Sequence, residues 1–198
     1  MNTSGDSNRS VRFTKARIRE AFFTLLKEKS IHKISVSELV KKANVSRATF
    51  YVHYLDIYHL MEKIESDIIN QIIGEISKFD ESSYVVGEYP IAKKVFTVLQ
   101  NHSEEIRLLT GENGDAAFRV KFQTALSDYF RLLLGLIIKK PQHLDPVLSF
   151  LIGGVLNMFL DNINSKNPQD IETLAMISNR YLRVTNKLIG LPEAEPDI

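Results

Sequence analysis

The sequence predicts an all-α fold of about nine helices. Two observations carry that prediction. Apolar residues recur at three- and four-residue spacing through every long segment, most regularly at Leu60, Ile64, Ile68, Ile72 and Ile76. No stretch alternates apolar and polar as a half-buried strand does, and no internal repeat is present. With 198 residues, 44% hydrophobic and 25% charged, the chain has the makeup of a globular protein able to bury a sizeable core.

In chain order, Met1–Phe13 is polar and reads as a flexible arm, either a terminus without a role or an arm that tracks a nucleic-acid partner. Thr14 is the expected N-cap of a first helix, Thr14–Lys29, whose core face is Ile18, Ala21, Phe22, Leu25 and Leu26. Ser35-Val-Ser-Glu38 is a capping-box signature, flanked by Ile34 and Leu39 as a hydrophobic staple. It opens a second helix that runs to about Ala43. Asn44 falls where the chain must turn, and Asn tolerates the left-handed conformation. Ser46 can cap a third, short helix, Arg47 to about Tyr54, through the amide of Thr49. That helix offers Arg47, Thr49, Tyr51 and His53 and no acid before Asp56, unlike an ordinary surface helix. Such side chains donate to phosphates and base edges, so the pair reads as a helix-turn-helix.

The segment from Thr14 to about Ile64 resembles the DNA-binding domain of TetR-family transcriptional regulators (TetR/AcrR-like). The resemblance rests on ISVSELVKKANVSRATFYVHY, and most specifically on A-x-V-S-R-A-T-F-Y-x-H-Y, followed by Asp56 and Leu60. Two positions depart from the family pattern: Asn44 stands where Gly is usual, and Ile57 stands where a Lys usually holds a DNA phosphate. Ile57 cannot make that contact. The T-F-Y-x-H-Y-x-D-x-Y run also resembles the subset that activates dihydroxyacetone-kinase operons through a protein partner.

The resemblance implies an N-terminal arm and three-helix DNA-binding domain over 1–55, and a larger helical regulatory and dimerisation domain over 56–198. It implies a homodimer on an inverted-repeat operator, acting as a repressor released by a small effector. The alternatives are an activator controlled by a protein partner and a ligand-binding dimer that never touches DNA. The family and side-chain chemistry together nominate Arg47 and Thr49 for base edges. Tyr51, His53 and Tyr54 are nominated for phosphates or groove-wall packing, Thr14, Ser35 and Lys42 for further backbone contacts, and Phe50 for the core.

Asp56 can cap a fourth helix reaching about Phe79, roughly 36 Å long at 1.5 Å per residue. In the family such a helix links the two domains, and tilting it would move the recognition helix. Asp80–Tyr89 is a polar loop, followed by helices Pro90–Asn101 and Ser103–Thr110, a turn at Gly111–Gly114, and a long helix from Asp115 to about Lys140. Pro146–Ile163 is apolar nearly all round and must be covered on more than one side. Its apolar core, Val147–Leu160, is too short to span a bilayer. Asn167-Pro168 is the expected cap of a last helix ending at Gly190, and 191–198 reads as a frayed tail. The resemblance pairs these last two helices, Pro146–Ile163 and Asn167–Gly190, with their copies in a second subunit, where Gly153-Gly154 would allow close approach. Phe96, Phe118, Phe122, Tyr129, Phe150 and Met158 are the candidates to line a pocket for a small apolar or aromatic effector, with plain core packing the more ordinary role for each.

Residues 1–63 carry 12 Lys and Arg against 6 Asp and Glu, a charge of +6, while the remainder carries 13 against 18, or −5. A basic front and an acidic back suit a nucleic-acid module joined to a part that does not touch nucleic acid. Cys is absent, which excludes disulfides and thiolate chemistry. No apolar run follows the first Met, so a cytoplasmic protein without a signal peptide or membrane partner is expected. The five His form no i, i+4 or Glu-x-x-His pair for a metal, and there is no glycine-rich phosphate loop. No enzyme activity, metal or cofactor is therefore expected.

Overall fold

The computed structural model describes residues 4–79, 90–135 and 138–190. The expected Asp80–Tyr89 loop and the 191–198 tail lie outside them. Nine α-helices and two short 3-10 turns make up the described residues, with no strand among them. In order, the helices are α1 (Ser4–Glu28), α2 (Val36–Ala43), α3 (Arg47–His53), α4 (Ile57–Ile76), α5 (Pro90–Asn101), α6 (Ser103–Thr110), α7 (Phe118–Leu134), α8 (Leu144–Asn164) and α9 (Ile171–Ile189).

The chain packs as two compact units, one of Met1–Ile68 with Glu104–Phe118 and one of Ile69–Ser103 with Arg119–Ile198. The first unit includes Ile57, Leu60, Met61 and Ile64 of α4 and Ile106 and Leu109 of α6, all of them buried.

In the first unit the predicted face of α1 (Ile18, Ala21, Phe22, Leu25 and Leu26) is buried with Leu39, Val40 and Ala43 of α2 and Phe50 of α3. The expected arm is corrected: α1 already begins at Ser4, so Thr14 sits inside the helix and cannot cap it. The polar run before Thr14 holds no proline to stop a helix, although Gly5 and its Ser, Asn and Asp residues lower the helix propensity there. The α6 segment is tied to α1 by Arg19, whose Nη2 lies 2.5 Å from Glu105 Oε1, and by Lys27 on Glu104. That hydrogen bond from Lys27 holds the Glu104 carboxyl below its ordinary pKa. Behind α6, the Ile31 N–H donates to the Asn113 carbonyl at 2.9 Å, and Asn113 Nδ2 donates to the Leu26 carbonyl at 3.1 Å. Gly114 is obligatory in this turn, since a Cβ would lie 2.2 Å from the Leu109 carbonyl oxygen. Asn113→Ala removes the side-chain bond and is expected to lower stability by about 1 kcal/mol, readable as a fall of a few degrees in Tm. A Tm equal to that of the wild type would show that the backbone bond alone holds the turn.

In the second unit α5 packs on α9, and α9 on α8. Phe96 meets Phe159 with ring centroids 6.5 Å apart, both nearly fully buried. The start of α9 is corrected from Asn167 to Ile171. Asp170 is the cap, its Oδ1 accepting from the Thr173 N–H at 2.7 Å, while Asn167 and Gln169 are held by Ser165 and Asn162. The Thr173 N–H first, then the Thr173 hydroxyl and the Glu172 N–H, hold the Asp170 carboxyl below its ordinary pKa. Gly190 ends the helix as expected, with φ +72, and the N–H groups of Lys139 and Lys140 both donate to the Ile189 carbonyl. The long helix expected over 115–140 is shorter at both ends. Asp115 closes a turn ahead of it, its Oδ1 accepting from the Ala117 N–H at 2.9 Å, and the helix ends at Leu134 beside Gly135.

The expectation for α8 is also corrected. The stretch Pro141–Asn164 has 24 residues and is long and apolar enough, by length and composition, to cross a bilayer. Leu144, Val147, Leu148, Ile152, Leu156, Phe159, Leu160 and Ile163 are buried in the protein along one face, while Phe150 on the other is exposed.

Candidate nucleic-acid interface

The two short helices are fixed by their caps. The Ser35 hydroxyl accepts from the Glu38 N–H at 3.2 Å, and the Ser46 hydroxyl from the Thr49 N–H at 2.9 Å. The reciprocal half of the capping box is not used: the Glu38 carboxylate turns to Lys29 Nζ at 2.6 Å. Between the helices Asn44 takes φ 51 and ψ 51, the left-handed conformation expected of it. Arg17 of α1 donates to the Asn44 carbonyl at 2.8 Å and stacks over Phe13 at 5.8 Å. This places a cation at the negative end of α2 and ties α1 to the turn. Sequence reasoning missed Arg17, whose partner lies 27 residues away.

Phe50 is fully buried and anchors α3, with the Tyr54 ring 5.5 Å away. Tyr54 is only 8% exposed, so it packs rather than reaches outward. Burial first, and then the Asp67 carboxylate, push its hydroxyl above the ordinary tyrosine pKa. Arg47, Tyr51 and Val52 face solvent, and His53 is half-buried. Thr49 is half-buried too, its hydroxyl 2.7 Å from that of Ser46. Arg47 Nη1 donates to Ser37 Oγ at 3.1 Å, and Nη2 reaches the Tyr51 hydroxyl at 3.4 Å. Lys42 is paired with Glu28 at 3.1 Å, and Thr14 is half-buried within α1.

Asp56 caps α4, its Oδ1 accepting from the His59 N–H at 2.8 Å, and His59 Nδ1 accepts from the Leu55 N–H at 3.0 Å. Ile57 points into the core, where a lysine would be buried. The exposed hydroxyl at this helix start belongs to Tyr58, 3.0 Å from His32 Nδ1.

Of the six residues expected to line an effector pocket, Phe96, Phe118 and Phe122 are buried, Tyr129 and Met158 are half-buried, and Phe150 is exposed. A groove of about 440 Å³ along α7 and α8 is lined by Gln123, Thr124, Arg131, Asp145 and Ser149 among others, and by none of those six. Gly153 meets Gln123 of α7, whose Nε2 lies 3.2 Å from where a Cβ would stand, while a Cβ on Gly154 would meet no atom of another element within 4 Å among the described residues.

Residues 18–64 match the family described as bacterial regulatory proteins, tetR family. Over 53 residues the chain is 36% identical to an uncharacterized HTH-type transcriptional regulator, YxbF, of Bacillus subtilis (strain 168). That match covers 27% of this chain and 14% of the relative's length. Among solved structures, a TetR transcriptional regulator from Streptococcus agalactiae 2603V is similar at TM-score 0.64 and 24% identity, over 92% of this chain and 98% of that one. The dihydroxyacetone kinase operon activator DhaS is similar at TM-score 0.64 and 16% identity, over 89% of this chain and 98% of that one. These two likenesses are of fold. The segment from residue 18 to residue 64 is thus a helix-turn-helix that matches the tetR family of bacterial regulatory proteins, set in a chain with the fold of solved TetR regulators.

Proposed function

We propose that this chain is a sequence-specific DNA-binding transcriptional regulator, a cytoplasmic repressor that binds an inverted-repeat operator as a homodimer. The single observation that carries the reading is the capped α2–turn–α3 element with Arg47 and Tyr51 on its open face. In this reading α3 lies in the major groove, Arg47 and Thr49 meet base edges, and Tyr51 and His53 meet phosphates or the groove wall. Ser35 and Lys42 add backbone contacts, Lys42 by exchanging Glu28 for a phosphate. Tyr58 stands next to Ile57 and can donate to the phosphate that a lysine would otherwise hold.

The dimer forms through α8 and α9. Ile177, Tyr181, Val184 and Leu188 are all exposed on α9, at spacings of four, three and four, which is one helical stripe. Phe150 of α8 continues it, its ring 6.3 Å from that of Tyr181. A contiguous apolar face of this kind marks an interface, and a two-fold axis there matches an inverted repeat. Release follows from an effector that binds one of two dimer states more tightly. α4, unbroken from Ile57 to Ile76, is the element through which a tilt would reach α3.

Tyr51→Ala tests the interface. It removes an exposed ring and hydroxyl, so the fold should keep its Tm while operator affinity falls about tenfold, the loss of about 1.4 kcal/mol. Unchanged affinity in a titration at fixed salt would take Tyr51 out of the interface.

A further inference from the structure

Arg47 is bonded on two sides in this structure. It opens α3, and its guanidinium bridges to Ser37 in the first turn of α2 and to Tyr51 one turn further along α3. The backbone that carries Arg47 is fixed as well, because Ser46 caps α3 through Thr49. A guanidinium carries five N–H donors in one plane, and two bonds at its Nη atoms leave three while setting the orientation of that plane. A planar fork held in advance loses little freedom when it pairs. Arginine reads guanine with two parallel donors, to O6 and N7, so the tilt of the plane decides whether the pairing forms.

We propose that Ser37 is a positioning residue that sets sequence specificity: its hydroxyl orients Arg47 for bidentate pairing with one guanine in each half-site. The inference rests on the DNA-binding reading above and deepens it, because base preference at that position then depends on α2 as well as on α3. Ser37 is well suited to a test. It is exposed, and the capping of α2 belongs to Ser35.

The experiment is selection of bound sequences from random duplex DNA at one stated salt concentration. The full chain is compared with Ser37→Ala, Ser37→Thr and Arg47→Ala, each checked for an unchanged Tm. The wild type should recover an inverted repeat with a preferred G in each half-site, and Arg47→Ala should lose that preference. Ser37→Ala should weaken it about 3- to 10-fold, the worth of one hydrogen bond, and leave the other positions unchanged. Ser37→Thr, which keeps a hydroxyl, should restore it. A Ser37→Ala motif identical to the wild type would overturn the proposal, and so would an even loss at all positions. A wild type that recovers no inverted repeat would instead remove the DNA-binding reading, and this inference with it.

Discussion

Phe50→Ala is expected to destabilise the unit that carries the helix-turn-helix by about 3–5 kcal/mol. The ring is fully buried, with Tyr51 and Tyr54 each 5.5 Å from it by ring centroid. α3 has only seven residues, too few to hold itself together by helix propensity. Removing the ring leaves a cavity under a helix whose other faces are in solvent, so α3 loses its fixed position before the rest of the unit melts. The measurement is thermal unfolding, with helicity and operator binding followed together. Binding should fail well below the main transition. A variant that binds and unfolds like the wild type would mean that the Ser46 cap suffices to place the helix.

The second large effect is expected from the paired change Tyr181→Asp with Val184→Asp. These residues are 56% and 62% exposed in the single chain, so the charges add little strain to its own core. Across a dimer interface they set unpaired carboxylates against an apolar face, which desolvation makes costly. The chain should sediment as a monomer with an unchanged helix content. Affinity for a two-half-site operator should then fall by about 10²–10⁴, because the second half-site is no longer held at high effective concentration. A paired variant that stays dimeric would move the interface away from the α9 stripe.

The parts of this molecule that were legible in the sequence are those fixed by neighbours. The caps at Ser35, Ser46 and Asp56 and the left-handed Asn44 each involve residues within a few positions, so local chemistry determines them. The buried stripe of α1 follows from its period. Helix ends were read less well where several polar residues compete. At the start of α9, Asn167, Gln169 and Asp170 all sit near the boundary, and only the fold settles that Asp170 caps the helix while Asn162 holds Gln169. The joining of α6 to α1 was not legible, because Arg19 and Glu105 stand 86 residues apart. At the site, side-chain type predicted a role for Arg47 but not its tether to Ser37, ten residues back on another helix. Tyr54 has the chemistry to meet DNA, yet it packs on Phe50, because as the C-cap of α3 it donates its N–H to the Phe50 carbonyl and turns its ring inward.

The most direct measurement is selection of bound duplexes from a random pool by the purified wild-type chain, repeated at two salt concentrations. A dimeric, sequence-specific regulator recovers an inverted repeat whose half-site centres lie about one helical turn, or a multiple of it, apart, and the same motif emerges at both salts. Recovery of no motif, with binding that is sequence-independent and vanishes at the higher salt, would contradict it.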